Sequence, residues 1–168
     1  MLHEKIEQAL NRQINNEMSA AYNYLAMMAH FEHLNLSGFA RWMQVQRNEE
    51  LAHAQRLIHY VLDRGGRVDL DAVPKPPTGF TNPQEVFERA LQMEKENTQS
   101  IDELYRLASE ANDYATLSHL QWFLDEQVEE EKTFDEVSSL LEMAGDDRSA
   151  LLLLNEKLGG RADAASQQ

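Results

Sequence analysis

Apolar residues recur every three or four positions along most of the chain, which is the spacing of an amphipathic α-helix. The first such stretch predicts a helix over about residues 2–33. Its apolar positions are Ile6, Leu10, Ile14, Met18, Ala21, Leu25 and Met28. A second stretch ends at Gly65-Gly66, where glycine can adopt the left-handed conformation that ends a helix. The first helix is expected to end at Asn35-Leu36-Ser37-Gly38, and this short connection predicts that the two helices lie antiparallel.

Residues 65–82 interrupt the helical pattern with three prolines and several glycines. A helix of about 27 residues is ~40 Å long, whereas eighteen linker residues can extend to ~60 Å. The linker can therefore cross the whole bundle and begin the third helix beside the start of the second. Asn82 is expected to cap that third helix, with Pro83 in its first turn and Glu85 completing a capping box.

A third helical pattern fades at Asn112-Asp113, and a fourth follows almost at once and breaks at Gly145. A short segment over residues 149–158 then carries consecutive leucines at 151–154. Leucines at four consecutive positions cover every side of a helix, so this segment needs neighbours all round. We expect it to pack in an oligomer interface.

The patterns together predict an all-α fold: a four-helix bundle with a long crossover between helices 2 and 3 and a short fifth helix at the C-terminal end. A chain of 168 residues is long enough for one domain to bury a sizeable core without disulfides. We expect that domain to cover residues 1–160 and to be followed by a disordered polar tail over residues 161–168.

The composition narrows the possible functions. The chain contains no cysteine, which excludes a disulfide framework, a thiolate metal site and a cysteine nucleophile. Twenty-nine acidic and fifteen basic residues give a formal charge of -14, which argues against binding to nucleic acid or to an anionic membrane and favours cations as partners. No stretch approaches the ~20 apolar residues of a membrane span, and the N-terminus lacks the apolar segment of a signal peptide. We expect a cytoplasmic protein.

Polar residues interrupt the apolar faces near the middle of each long helix, and their spacing is repeated. In each half of the chain a glutamate is followed thirty-three residues later by a second polar residue, and three residues after that by a third. The two sets are Glu17, Glu50 and His53 in the first half, and Glu94, Gln127 and Glu130 in the second. Residues three apart on a helix share a face, so this repeat predicts a two-metal centre inside the bundle.

Four carboxylates in one buried layer would repel one another, and each would lose several kcal/mol of solvation. Two divalent ions would balance the charges of Glu17, Glu50, Glu94 and Glu130, and Glu50 is the natural bridge between them. Oxygen ligands with one imidazole suit iron, manganese or magnesium better than copper or structural zinc. The alternative is a structural helical bundle without metal, in which the central acids are protonated or solvated.

These residues resemble the ferroxidase-centre pattern of the ferritins, specifically the bacterial non-haem ferritins, over residues 2–158. The matching residues are Glu17 and Tyr24, then Glu50-Leu51-Ala52-His53, then Glu94, and finally Gln127-Val128-Glu129-Glu130. The resemblance implies that Glu17, Glu50 and His53 hold one iron. It implies that Glu50, Glu94 and Glu130 hold a second, with Gln127 as a hydrogen-bonding or weak ligand. A third, more loosely held iron would have as its ligands Glu49, Glu126 and Glu129, with Glu130 shared.

The resemblance also implies oxidation of Fe(II) to Fe(III) by dioxygen or peroxide and storage of the product as a hydrated ferric oxide in a closed shell of twenty-four identical subunits. Tyr24 is then either a redox-active neighbour of the iron pair or a core tyrosine with a satisfied hydroxyl. A bacterioferritin would have a second Glu-x-x-His at Gln127 and a haem-ligating methionine at Leu51, so no haem is expected. A non-storing di-metal oxidase or peroxidase is the alternative enzyme.

Overall fold

The computed structural model describes residues 2–161, which form five α-helices and no β-strand. The helices are α1 Glu4–His33, α2 Ser37–Asp63, α3 Pro83–Glu110, α4 Tyr114–Ala144 and α5 Arg148–Gly159. The predicted all-α bundle with a long crossover and a short fifth helix is confirmed. None of these five helices is both long enough and apolar enough to span a bilayer. α1 begins two residues later than predicted, because the His3 side chain caps it by accepting a hydrogen bond from the Lys5 N–H.

Three of the helix ends are made by residues with left-handed backbone conformations. Asn35, Gly65 and Asn112 have φ angles of 59°, 71° and 54°. After each of them, the next N–H donates to the carbonyl five residues earlier, at 2.9 or 3.0 Å. The turns at Asn35 and Asn112 bring α1 against α2 and α3 against α4, so each pair packs extensively, and the turn at Gly65 leads into the crossover.

The crossover ends in a capped start of α3. The Asn82 side chain accepts a hydrogen bond from the Glu85 N–H at 2.9 Å, as predicted. The Glu85 carboxylate, however, accepts from the N–H of Thr81 at 2.7 Å rather than from the N–H of Asn82. Thr81 also donates its hydroxyl to the same oxygen at 2.7 Å, so this arrangement makes two hydrogen bonds where the predicted capping box would make one.

Asparagine side chains of α1 fasten the first part of the crossover along the bundle. Asn11 donates to the carbonyl of Arg67 at 2.9 Å and accepts from the N–H of Asp69 at 2.8 Å. One turn later, Asn15 accepts from the N–H of Asp71 at 3.3 Å. These contacts satisfy backbone groups that have no helical partner, so the crossover follows α1 without regular secondary structure of its own.

The buried core consists of two apolar clusters separated by a polar layer. The first cluster contains the large side chains of Tyr24, Phe31, Phe39, Trp42, Phe87 and Phe134. The second contains Ile6, Leu10, Leu57, Ile101, Leu104 and Phe123. Most of the buried polar residues lie where the two clusters meet, and Thr116, near the start of α4, is the exception among those described; the others are Gln13, Glu17, Gln46, Glu50, His53, Glu94, Gln127 and Glu130. The polar layer therefore lies at the middle of the bundle and away from both of its ends.

The fifth helix lies on the outside of the bundle. None of its residues is buried within the chain. Leu151, Leu154 and Leu158 pack against the first apolar cluster, whereas Leu152 and Leu153 are 61% and 67% exposed. One chain thus covers only one side of the leucine-rich helix.

Candidate metal centre

Glu17 of α1 meets Glu50 and His53 of α2 in the polar layer. Nδ1 of His53 lies 3.5 Å from Oε2 of Glu50 and 3.8 Å from Oε2 of Glu17. One possible ligand atom from each residue lies within 4.8 Å of the other two, and no other group of three such side chains within residues 2–161 does so. Glu50 and His53 share a face because they are three residues apart on one helix, and the packing of α1 against α2 adds Glu17.

Glu94 of α3 and Glu130 of α4 lie in the same layer, where neutral partners hold them. The Tyr24 hydroxyl donates to Oε1 of Glu94, and Nε2 of Gln127 lies 3.3 Å from Oε2 of the same carboxyl group. Nε2 of Gln46 donates to Oε2 of Glu130 at 2.9 Å. Gln127 therefore acts on Glu94 as a hydrogen-bond donor in this structure.

Buried amides complete the layer, and the sequence analysis assigned them no function. Nε2 of Gln13 donates to Oε1 of Glu17 at 2.7 Å, and Nδ2 of Asn97 lies 3.4 Å from Oε2 of Glu17. The sequence does contain a spacing that could have identified two of the buried amides. Gln13 and Gln46 stand one helical turn before Glu17 and Glu50 and repeat the same thirty-three-residue spacing.

The carboxyl groups and the imidazole of this layer shift one another's pKa values. Burial acts to lower the pKa of His53, but hydrogen bonds and charges from Glu17 and Glu50 raise it to about 11. Burial, together with the charges of Glu94 and Glu17, raises the pKa of Glu50 well above its usual value. Burial and the charge of Glu130 raise the pKa of Glu94 to about 8. Without a cation, the centre therefore holds protons at neutral pH.

The residues of this layer suit a divalent cation such as Fe(II). Oε2 of Glu50 is buried, and Nδ1 of His53 lies 3.5 Å from it, so a cation that replaced the proton of His53 would become the partner of this oxygen. A buried polar oxygen of this kind is costly unless it has a partner. Carboxylate oxygens with one imidazole suit divalent iron, and a cation would replace the protons that burial and mutual repulsion force onto the site.

The residues expected to hold a third iron are more dispersed. Glu49 pairs with Arg161, whose Nη2 lies 2.8 Å from Oε2 of Glu49. Burial raises the pKa of Glu49 to about 7, although the charge of Arg161 acts to lower it. Glu126 is half-buried and Glu129 is exposed. Among the described residues, these three and Glu130 do not bring three ligand atoms within 4.8 Å of one another. Arg161 is the first residue of the tail expected over residues 161–168. The other residues of that tail, 162–168, lie outside the described residues.

Binding of a divalent ion should release protons and should weaken as the pH falls. The raised pKa of His53 means that this group carries a proton at neutral pH, and a ligand atom must lose its proton before it can bind metal. We expect about one proton or more to be released for the first ion at neutral pH. Calorimetry with redox-inert Zn²⁺, repeated in buffers of different ionisation enthalpy, measures this number. An exposed control, Glu103→Gln, should leave it unchanged, and proton-independent binding would contradict the expectation.

Comparisons with known proteins identify the family of this chain. The family model for a ferritin-like domain matches residues 7–144. The bacterial non-haem ferritin of Staphylococcus aureus (strain USA300) is 40% identical over 161 residues, which cover 96% of this chain and 97% of the relative. The open-pore ferritin of the hyperthermophilic archaeon Archaeoglobus fulgidus has a TM-score of 0.95 and 42% identity, covering 96% of this chain and 100% of that one. A form of the Archaeoglobus ferritin engineered to be closed has a TM-score of 0.94, with 42% identity over 96% of this chain and 99% of its own. The chain therefore belongs to the ferritin family and is similar to its bacterial non-haem members.

Proposed function

We propose that this protein oxidises Fe(II) to Fe(III) with dioxygen or peroxide and stores the product as a ferric oxyhydroxide mineral. Membership of the ferritin family supports iron storage and ferroxidase-type chemistry in general. The observation that carries the proposal is the buried group of Glu17, Glu50 and His53, whose ligand atoms already lie within 4.8 Å of one another. Burying such a group of charged side chains without a cation would cost desolvation free energy.

In this proposal two irons bind side by side in the polar layer. Glu17, Glu50 and His53 hold the first, and Glu50, Glu94 and Glu130 hold the second. Glu50 suits a bridging position because its pKa responds to the charges of both Glu17 and Glu94, which are proposed ligands of different irons. Gln127 adds no charge to the second position, whose carboxylate ligands are Glu94 and Glu130 besides the shared Glu50.

The paired arrangement matters because dioxygen and peroxide accept electrons in pairs. Two ferrous ions held close together can each give one electron to the same oxidant molecule, which a single ion cannot do. Protons released from His53 and Glu50 when iron binds become available for the reduced oxygen. The surrounding apolar clusters limit the access of water to the polar layer and so strengthen the electrostatic interactions within it.

Tyr24 has two possible functions in this mechanism. Its hydroxyl donates to Glu94, its ring stacks on Phe134 with a centroid distance of 5.8 Å, and burial raises its pKa far above the usual value. The hydroxyl therefore keeps its proton and orients Glu94. The same position, in contact with a ligand of the second iron, would also allow Tyr24 to act as a redox-active neighbour.

Storage requires a closed container, and we propose that identical chains assemble into a shell, with twenty-four subunits as in the ferritins that the sequence resembles. The exposed Leu152 and Leu153 of α5 support assembly, because adjacent apolar side chains of this kind are usually covered by a neighbour. A third, loosely held iron at Glu49, Glu126, Glu129 and Glu130 would lie between the paired site and the storage space. A cytoplasmic location is part of the same proposal.

The test is an anaerobic titration of metal-free protein with Fe(II), followed by exposure to oxygen, with wild type and His53→Ala in parallel. We expect two or three irons to bind per chain, to oxidise rapidly and to remain with a large assembly. The fast phase should be lost in His53→Ala, because the first iron loses its nitrogen ligand. Absorbance of Fe(III) and iron content after gel filtration are the measurements.

Other outcomes identify the alternative functions. If iron is oxidised but released, the protein is a non-storing di-metal oxidase or peroxidase. If no iron binds tightly and His53→Ala behaves like wild type, the buried acids are structural and the proposal is wrong.

A further inference from the structure

Arg161 follows α5 and directs its guanidinium group to the edge of the polar layer. Its Nη2 lies 2.8 Å from Oε2 of Glu49, and its guanidinium carbon lies 4.5 Å from the centroid of the Trp42 ring. The side chains of Arg161 and Glu49 are only 22% and 18% exposed. Nη1 of Arg161 is buried and has no hydrogen-bond partner within residues 2–161. The pair is thus mostly shielded from solvent, where it is stronger than an ion pair on the surface.

The docking of α5 determines where Arg161 lies. Oδ1 of Asn155 accepts hydrogen bonds from the N–H groups of Gly38 and Phe39 at 2.9 and 3.0 Å, at the start of α2. A Cβ atom at Gly159 would lie 3.0 Å from the Cα of Gly38, so the two backbones are in close contact. These contacts hold the end of α5 against α2, and the chain two residues later carries Arg161.

The charge of Arg161 acts on two of the residues proposed to hold the third iron. It opposes the rise that burial causes in the pKa of Glu49, and it does the same for Glu130. A guanidinium group remains protonated at any physiological pH, so this positive charge is permanent. The candidate third site therefore already contains one cation that belongs to the chain.

We propose that Arg161 competes with the third iron for Glu49, so that this ion binds only when it displaces the guanidinium group. The inference rests on the function proposed above. Two positive groups cannot both approach one carboxylate oxygen without strong repulsion in a partly buried site. The third iron is therefore held weakly and passes on to storage. By linkage, an ion at Glu49 loosens Arg161 to the same degree that Arg161 weakens the ion.

Anaerobic calorimetry with Fe(II) tests this competition in the full-length protein. Arg161→Gln should bind the third ion about tenfold more tightly than wild type, with the affinity for the first two ions unchanged. Arg161→Lys keeps the positive charge and should bind the third ion with nearly the wild-type affinity. Arg148→Gln is the matched control, because it removes the same charge from an exposed position on α5. Thermal unfolding of all four proteins shows whether they are folded.

The outcomes separate the inference from the function on which it rests. If the first two ions bind tightly but the third binds equally well in wild type and Arg161→Gln, the competition is wrong and the proposed function stands. If Arg161→Lys and Arg161→Gln bind the third ion alike, Arg161 acts through packing on Trp42 and the competition is again wrong. If wild type binds no ion tightly, both the proposed function and this inference are overturned.

Discussion

Glu50→Gln should abolish fast iron oxidation and at the same time make the metal-free protein more stable. Glutamine has nearly the same shape as glutamate, so the core keeps its packing. It cannot bridge two cations as a carboxylate can, and Glu50 is the proposed ligand of both irons. Substitution of supporting residues around a metal typically costs ten- to a hundredfold in affinity or activity, so loss of a shared ligand should slow oxidation by at least about a hundredfold.

The gain in stability follows from the raised pKa of Glu50. Because the pKa of Glu50 is higher in the folded protein than its ordinary value of 4.5, there is a pH range above 4.5 in which the folded state keeps a proton that the unfolded chain has released. The folded state thus binds more protons, so the free energy of unfolding decreases as the pH rises above that value. Glutamine removes this dependence. We expect Glu50→Gln to be more stable than wild type by about 1–3 kcal/mol at neutral pH, with the difference disappearing near pH 4.

Two measurements check this pair of effects. Stopped-flow absorbance of Fe(III) formation gives the rate, and thermal unfolding of chelator-treated protein between about pH 4 and 8 gives the stability. Glu103→Gln, which changes the same chemical group at an exposed position, should resemble wild type in both. A Glu50→Gln protein that oxidises iron at the wild-type rate would show that Glu50 does not bind iron. If Glu50→Gln is less stable than wild type at neutral pH, then the Glu50 carboxyl group stabilises the folded protein even without a cation, and the expectation is wrong.

Gly38→Ala should detach α5 from the bundle. A Cβ atom at residue 38 would lie 1.6 Å from the backbone oxygen of Asn155, which is far inside van der Waals contact. Neither backbone can move aside like a flexible side chain, so α5 must shift away. The shift would break the hydrogen bonds from Asn155 to the start of α2 and would separate Arg161 from Glu49.

We expect Gly38→Ala to lose about 1–3 kcal/mol of stability, the usual cost of overpacking, and to assemble poorly because the exposed leucines of α5 are displaced. Thermal unfolding and light scattering after gel filtration measure the two effects. Ser37→Ala, an exposed neighbour in the same helical turn, is the control and should assemble like wild type. Normal assembly and stability in Gly38→Ala would mean that α5 does not need this close contact.

The periodic spacing of apolar residues was sufficient to predict the helices and most of their ends. Apolar residues three and four apart must share a helix face, and Asn35, Gly65 and Asn112 are residue types that tolerate a left-handed conformation. The repeated thirty-three-residue spacing also predicted that Glu17, Glu50 and His53 would meet. That prediction depends only on helix geometry and on the one short turn between α1 and α2, which is why it needed no long-range information.

Contacts between distant parts of the chain required the tertiary structure. Asn97 is eighty residues from Glu17, and Arg161 is 112 residues from Glu49. Local periodicity contains no information about such pairs. The close approach of Gly38 to α5 could not be predicted either, because a glycine near the start of a helix looks the same in the sequence whether or not another backbone packs against it.

The sequence by itself therefore determined the five helices, the crossover and the three ligands that helix spacing brings together. Only the tertiary structure decided which amides orient the carboxylates, where α5 docks and which cation accompanies Glu49. The physical reason is that helix formation and face selection depend on neighbours within one or two turns. The partners of a buried charge, in contrast, are set by how whole helices pack.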